Sequence, residues 1–512
     1  MAEKADVVDT VKQGYAFEGA ALELGSLLVD GEPKPEAVVR IPLGMMNRHG
    51  LVAGATGTGK TKTLQLMAEQ LSAAGVAVFA ADVKGDLSGI SQPGTGGDKL
   101  LARTKAIGQE WTATGFPTEF YALGGQGTGI PIRATITSFG PVLLSKVLGL
   151  NDVQESSLGL IFHYADKAGL TLLDLKDLRS VIQHLTSDEG KADLKDLGGL
   201  SAATAGVILR ALIGFADQGA EAFFGEPEFD TADLLQQRDG KGVISLLELP
   251  NLQDRPALFS TFLMWLLADL FHDLPEVGDV DKPKLVFFFD EAHLLFNDAS
   301  KAFLDSIAQT VRLIRSKGVG VFFVTQTPKD VPDAVLAQLG SRVQHQLRAH
   351  TPNDAKALKA TVSTFPSSSY DLGEVLTQLG IGEAIVTVMN ESGAPTPVAW
   401  TRLRAPQSLM APATAEQLTA AVQASPNNAK YSESVDRESA YEILAAKVQA
   451  GAAQAEAEQR EQAKQEEAPR PRAQKQEKSM VEQVIGSTAF KQFARTAGRE
   501  IVRGLFGAAR KR

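Results

Sequence analysis

Apolar residues follow two rhythms along this chain. Residues 75–82 (Gly-Val-Ala-Val-Phe-Ala-Ala-Asp), 242–249, 284–291 and 318–326 are apolar at nearly every position and carry polar residues at or near their ends. Such runs suit central strands buried on both faces of a parallel sheet. A shorter run, Gly50-Leu51-Val52-Ala53, precedes them. Elsewhere the period is helical. Leu64, Met67, Ala68 and Leu71 recur at helical spacing, and Phe303, Ile307, Val311 and Ile314 form one stripe. Strands alternating with helices predict an α/β fold built on a mainly parallel sheet.

The same patterning divides the chain. Residues 41–132 and 240–405 are expected to form the core, and residues 1–40 an N-terminal segment. Within 133–239, Leu143, Leu144, Val147 and Leu148, then Leu158, Ile161 and Phe162, then Leu175, Leu178 and Ile182 predict a helical insertion. Strand signals stop past Ala405, so 406–447 reads as a helical C-terminal extension. Residues 448–480, rich in Gln, Glu, Ala and Lys, read as a solvated lone helix or a disordered linker. In 481–512, Lys491, Arg495, Arg499 and Arg503 recur every four residues opposite Ile485, Phe493, Ala497, Ile501 and Leu505. That pattern predicts a basic amphipathic helix.

Composition narrows the chemistry. With 51 basic against 61 acidic residues the net charge is −10, so any contact with nucleic acid must be a local patch or a lined channel. The absence of cysteine excludes disulfides, thiolate zinc sites, iron–sulfur clusters and Cys nucleophiles. The seven histidines show no i,i+3 or i,i+4 pair, which argues against a structural metal. Residues 258–271, the most apolar stretch, contain Asp269 and are too short to span a bilayer. Without a signal-like N-terminus, the expectation is a cytoplasmic protein.

One motif names a ligand. Gly54-Ala55-Thr56-Gly57-Thr58-Gly59-Lys60-Thr61 fits G-x-x-x-x-G-K-[S/T] between a short strand and a helix start. Its backbone N–H groups can close around phosphates, Lys60 can reach the β- and γ-phosphates, and the Thr61 hydroxyl can ligate Mg²⁺. Lys62 completes the candidate nucleotide-binding set. Asp290 ends an apolar run where a carboxylate can hold Mg²⁺, and Glu291 follows as candidate general base. An ordinary acidic strand end is the plain alternative. Gln326 ends the next run, where it can sense the γ-phosphate or simply cap the turn before Pro328. Arg315, and Arg342 just ahead of a later strand, are candidates for a charge supplied across a subunit interface; either can equally be surface decoration. Asp290-Glu291-Ala292-His293 also spells the DEAH box, but no second lobe with the Arg-rich motif of that helicase class is legible.

Residues 49–61, Asp82-Val83-Lys84-Gly85-Asp86, Asp290-Glu291, Arg315-Ser316-Lys317-Gly318-Val319-Gly320 and Val324-Thr325-Gln326 together resemble the HerA/FtsK branch of P-loop ATPases. More narrowly, residues 41–441 and 500–505 resemble the bacterial YjgR-like group of HerA-type helicases. The resemblance implies a RecA-like core, ATP as ligand, Asp290 and Glu291 as metal and base pair, Gln326 as sensor, and a hexameric ring with Arg315 or Arg342 acting in trans. A DNA-translocating or helicase-type motor, an ATP-driven protein-remodelling or secretion ATPase, and an ATP-switched binding module all stay open. The basic tail could meet DNA, an anionic membrane or an acidic protein surface.

Overall fold

The apolar runs lie side by side in a sheet covered on both faces. The computed structural model describes residues 2–467, apart from 195–197, 250–255, 279, 298 and 300. The described strands are β1 (Ala21–Val29), β2 (Glu32–Pro42), β3 (Gly50–Ala53), β4 (Ala77–Asp82), β5 (Thr118–Leu123), β6 (Ile130–Ile132) and β7 (Gln237–Arg238). They continue with β8 (Lys241–Gly242), β9 (Ile244–Glu248), β10 (Leu285–Phe289), β11 (Val319–Thr325), β12 (Ser341–Gln344), β13 (Glu383–Thr387) and β14 (Ala399–Leu403). Strands β7 and β8 form a small hairpin of their own, and the other twelve form one sheet in the order β2-β1-β14-β13-β12-β3-β11-β10-β4-β9-β5-β6.

From β12 to β6 every neighbouring pair is parallel. The flank from β12 out to β2 is antiparallel. Five of these strands, β3, β4, β9, β10 and β11, are the runs legible in the sequence; the other seven are not. Their patterns are short or broken by polar residues. β2 carries Pro33 and Pro35, which only a sheet edge tolerates, and it lies at that edge.

Alternation along the parallel strands explains their unbroken apolar character. Val78, Ala80, Val286, Phe288, Phe322 and Val324 pack into one core with Leu64, Met67, Ala68 and Leu71 of the Lys60–Ala73 helix. Phe79, Ala81, Phe287, Phe289, Val321 and Phe323 pack into the other, with Phe303, Ile307, Val311 and Ile314 of the Lys301–Ile314 helix. Successive strand residues point to opposite faces, so a sheet covered on both sides needs an apolar residue at each position.

Between β6 and β7 the chain is helical, with helices Ile136–Val147, Asp152–Lys167, Leu175–Thr186, Asp188–Asp193 and Ala202–Asp217. Asn151 and Asp174 start two of them with reciprocal capping boxes. Leu144, Leu158, Ile161, Leu178 and Ile208 share the core that contains Phe79 and Phe287, so these helices extend that core.

A helix at Ala440–Glu467 buries Ala440 and Leu444, and the described chain divides into two units after Ala446. In the second unit, residues 447–461 are an exposed stretch of that helix. The basic helix expected at 481–512 lies outside the described residues. Among the described residues, no helix is long and apolar enough to cross a membrane.

Candidate nucleotide site

Strand β3 delivers the glycine loop to the carboxyl edge of the parallel strands. The chain leads from β3 to β4 on one side and from β11 to β12 on the other, so the end of β3 is a topological switch point, where open α/β sheets bind ligands. The loop is anchored from both sides: Gly54 N–H donates to Thr325 O (3.1 Å) and Ala55 N–H to Gln346 O (2.8 Å). Thr58 Oγ1 donates to Ala55 O (2.8 Å), Gly382 N–H to Thr58 O (3.1 Å), and Arg348 Nη2 to Thr56 O (3.2 Å). Two glycines are obligatory here. A Cβ on Gly54 would come within 2.4 Å of the His345 Cβ, and Gly59 caps the helix with φ 113.

The Lys60–Ala73 helix makes its first internal bond from Thr63 N–H to Gly59 O (3.0 Å). The N–H groups of Lys60, Thr61 and Lys62 are therefore free at the positive end of the helix dipole, an arrangement suited to phosphate. Lys60 is buried with Nζ on Ala55 O (3.2 Å), and burial pulls its pKa down against the attraction of Glu291 and Asp290. Below it, buried His345 meets Thr63 Oγ1 through Nε2 at 2.9 Å. The Lys62 side chain turns away, donating to Met410 O (2.6 Å) and Gln65 Oε1 (3.2 Å), so only its backbone faces the loop.

Asp290 and Glu291 follow β10, two strands from β3. Asp290 Oδ1 accepts the Glu291 N–H (2.9 Å), while its buried Oδ2 has no partner. Burial and then the Glu291 charge push its pKa up to about 7. An orphaned carboxylate oxygen this costly fits a hard cation. No cluster of three or more His, Cys, Asp or Glu side chains suited to a metal occurs among the described residues. Asp290 and a hydroxyl such as that of Thr61 would hold Mg²⁺, which readily takes its other ligands from water and phosphate.

Glu291 sits in left-handed backbone (φ 48), uncommon for a non-glycine residue and concentrated at functional sites. Its Oε1 accepts from Lys84 Nζ. His293 Nδ1 stands 3.2 Å from Oε2, a charge contact bent out of hydrogen-bond alignment. His293 and then Lys84 hold the Glu291 pKa down to about 2, which makes it a poor proton acceptor in this arrangement.

Gln326 is exposed at the end of β11, while neighbouring Thr325 Oγ1 donates to Asp330 Oδ2 (2.7 Å). Neither arginine joins the site of its own chain. Arg315 precedes β11 and so lies at the opposite edge of the sheet from the glycine loop. Arg342 lies inside β12 rather than ahead of it, bonds Thr364 O (3.2 Å) and Thr364 Oγ1, and stacks over Phe365 at 5.9 Å. β12 is only four residues long and three of them are polar, so its start carries no apolar signal.

The sequence carries no signature of a role for Lys84 or Arg348, or for the buried acidic pair at the ends of β4 and β9. There Asp82 is raised to about 6 by burial, and Glu248 to about 8 by burial and then by Asp82 and Asp86. The available signal was position, since Asp82-Val83-Lys84-Gly85-Asp86 follows a buried strand at the same edge as the glycine loop.

Relatives agree with this architecture. A probable helicase of Methanocaldococcus jannaschii is 32% identical over 153 residues, 28% of each chain. The DNA double-strand break repair helicase HerA of Sulfurisphaera tokodaii is 22% identical over 377 residues, 72% of this chain and 67% of that protein. Among solved structures, the bacterial conjugative coupling protein TrwB superposes with a TM-score of 0.51 at 17% identity, covering 79% of this chain and 94% of that one. TrwB with ADP and Mg²⁺ gives 0.50 at 18%, covering 77% and 97%. The fold is thus that of the RecA-like P-loop ATPases. Matched over residues 28–512 by the profile described as helicase HerA-like, C-terminal, the chain belongs to the HerA-like family.

Proposed function

We propose that the chain hydrolyses ATP at this site as a subunit of a ring-forming motor that moves along DNA. The observation that carries hydrolysis is the placement of Asp290 and Glu291 in the electrostatic field of Lys60, beside a helix end with free N–H groups. Residues 54–62 cradle the phosphates, with Lys60 on the β- and γ-phosphates. Thr61 and the orphaned Asp290 oxygen would hold Mg²⁺, which would supply positive charge against the phosphates when bound. Glu291 orients and deprotonates the attacking water, and Gln326 meets the γ-phosphate side. Arg315 or Arg342, both outside the site of their own chain, supplies a charge to the neighbouring subunit in a hexameric ring.

DNA as the track is supported by the HerA relative, named for DNA double-strand break repair. The test is ATPase rate alone and with double-stranded DNA, single-stranded DNA, RNA or a polypeptide fraction, with native mass measured with and without nucleotide. Stimulation by DNA together with a nucleotide-dependent hexamer is expected. Stimulation by polypeptide alone would move the reading to a protein-remodelling ATPase.

A further inference from the structure

The resting arrangement around Glu291 conflicts with the role just given to it. Its carboxylate has Lys84 on one oxygen and His293 against the other, so the group meant to act on water is engaged by two cationic or donor side chains. The two partners differ in how they are attached. His293 opens a short helix, His293–Phe296, only two residues from Glu291. Lys84 reaches Glu291 from a different strand connection, through a flexible four-carbon stem.

The base of that stem is fixed. Asp82, fully buried, accepts the N–H groups of Lys84 (3.2 Å), Gly85 (2.7 Å), Asp86 (3.3 Å) and Leu87 (2.7 Å), which pins the loop after β4. The tip is open: the Lys84 side chain is 43% exposed, against 6% for Glu291. The Lys84 ammonium is attracted by Asp290 and repels Lys60, so it lies within electrostatic reach of both.

We propose that Lys84 is a moving ligand, holding Glu291 when no triphosphate is bound and passing to the γ-phosphate when ATP binds. This deepens the ATPase reading above and depends on it. A triphosphate held by Lys60 and directed toward Asp290 brings its terminal phosphate between the two lysines. The terminal phosphate carries more charge than one carboxylate, and it presents three acceptor oxygens to a point-charge donor. Lys84 then leaves Oε1, and that oxygen becomes available to water while His293 still constrains Oε2. ADP lacks the group that draws Lys84 away, so the diphosphate state keeps Glu291 engaged. Glu291 is thereby armed only when there is a bond to cleave.

The exchange predicts a thermodynamic coupling between Lys84 and Glu291 that only the γ-phosphate reveals. It is read by equilibrium binding of ADP and of a non-hydrolysable ATP analogue, both with Mg²⁺, to the full-length wild-type protein, Glu291→Gln, Lys84→Met and the double variant. In Glu291→Gln no carboxylate competes for Lys84, so the analogue should bind about fivefold tighter while ADP affinity stays constant. Lys84→Met should weaken the analogue and leave ADP unchanged, and the double variant should bind the analogue no tighter than Lys84→Met. Unchanged ADP binding doubles as the check that each variant is folded. Equal changes for both nucleotides, or a Glu291→Gln gain that survives without Lys84, would overturn the moving lysine and leave a static ion pair. Wild-type protein that binds neither nucleotide would remove the ATPase reading itself.

Discussion

At the scale of single residues, Lys60 and the Asp290–Glu291 pair divide the work between binding and bond cleavage. Lys60→Ala removes the cation on the β- and γ-phosphates, so nucleotide affinity and turnover should both collapse, as read by equilibrium binding and steady-state ATPase. Glu291→Gln keeps the size of the side chain but accepts no proton. It should retain binding while hydrolysis falls by roughly 10²-fold. If Asp290→Asn abolishes turnover while Glu291→Gln does not, the general base lies elsewhere. Glu248 gives a different readout. Its buried carboxyl stays protonated in the fold up to about pH 8, whereas in the unfolded chain it ionises near 4.5. The native state therefore binds more protons across that window, and stability should fall as pH rises through it. Glu248→Gln carries no such titration. Melting curves at pH 5 and 8 should show the variant losing less stability than wild type, by ~1 kcal/mol or more; parallel losses would show that Glu248 ionises normally. Lys60, Asp290 and Glu291 were legible because a fixed spacing or a strand end marks them. Lys84 and Arg348 were not, because what they touch, Glu291 and Thr56, is far away in sequence and brought near only by sheet pairing.

At the scale of elements, legibility followed burial on two faces. β4, β10 and β11 announce themselves since each residue meets a core, as in the Phe79–Phe287 contact at 5.1 Å on one face and Phe288–Phe322 at 5.5 Å on the other. β13 and β14 mix apolar residues with Glu383, Thr387, Thr401 and Arg402, and they gain stability from partners the local pattern cannot name. Glu383, for example, accepts from Arg402 Nη2 (3.0 Å) and Trp400 Nε1 (3.2 Å) across the strand pair. The two-faced strands should also carry most of the stability. Phe288 is fully buried in the core it shares with the Lys60–Ala73 helix, so Phe288→Ala should cost about 3–5 kcal/mol of unfolding free energy in denaturant titration. A cost below 1 kcal/mol would mean that this core repacks freely and does not hold the glycine loop in register.

At the scale of the whole molecule, the two candidate arginines stand apart from the site of their own chain. The glycine loop, Asp290 and Glu291 gather at one edge of the sheet, but Arg315 is at the opposite edge and Arg342 is tied to Thr364 and Phe365. In the ring proposed above, a neighbouring subunit would supply a further charge to the γ-phosphate. The two candidates differ in place: Arg342 is bonded to Thr364 and stacked on Phe365, and Arg315 lies at the far edge of the sheet. If Arg315 acts in trans, Arg315→Ala should bind ATP normally and hydrolyse it slowly. Mixing it with the Lys60→Ala protein should partly restore turnover, because some interfaces then pair an intact glycine loop with an intact arginine. Specific activity should also rise with protein concentration until assembly saturates. Full activity in a dilute monomer would count against the ring, and restoration by mixing with Arg342→Ala but not Arg315→Ala would assign the role to Arg342 despite its local bonds.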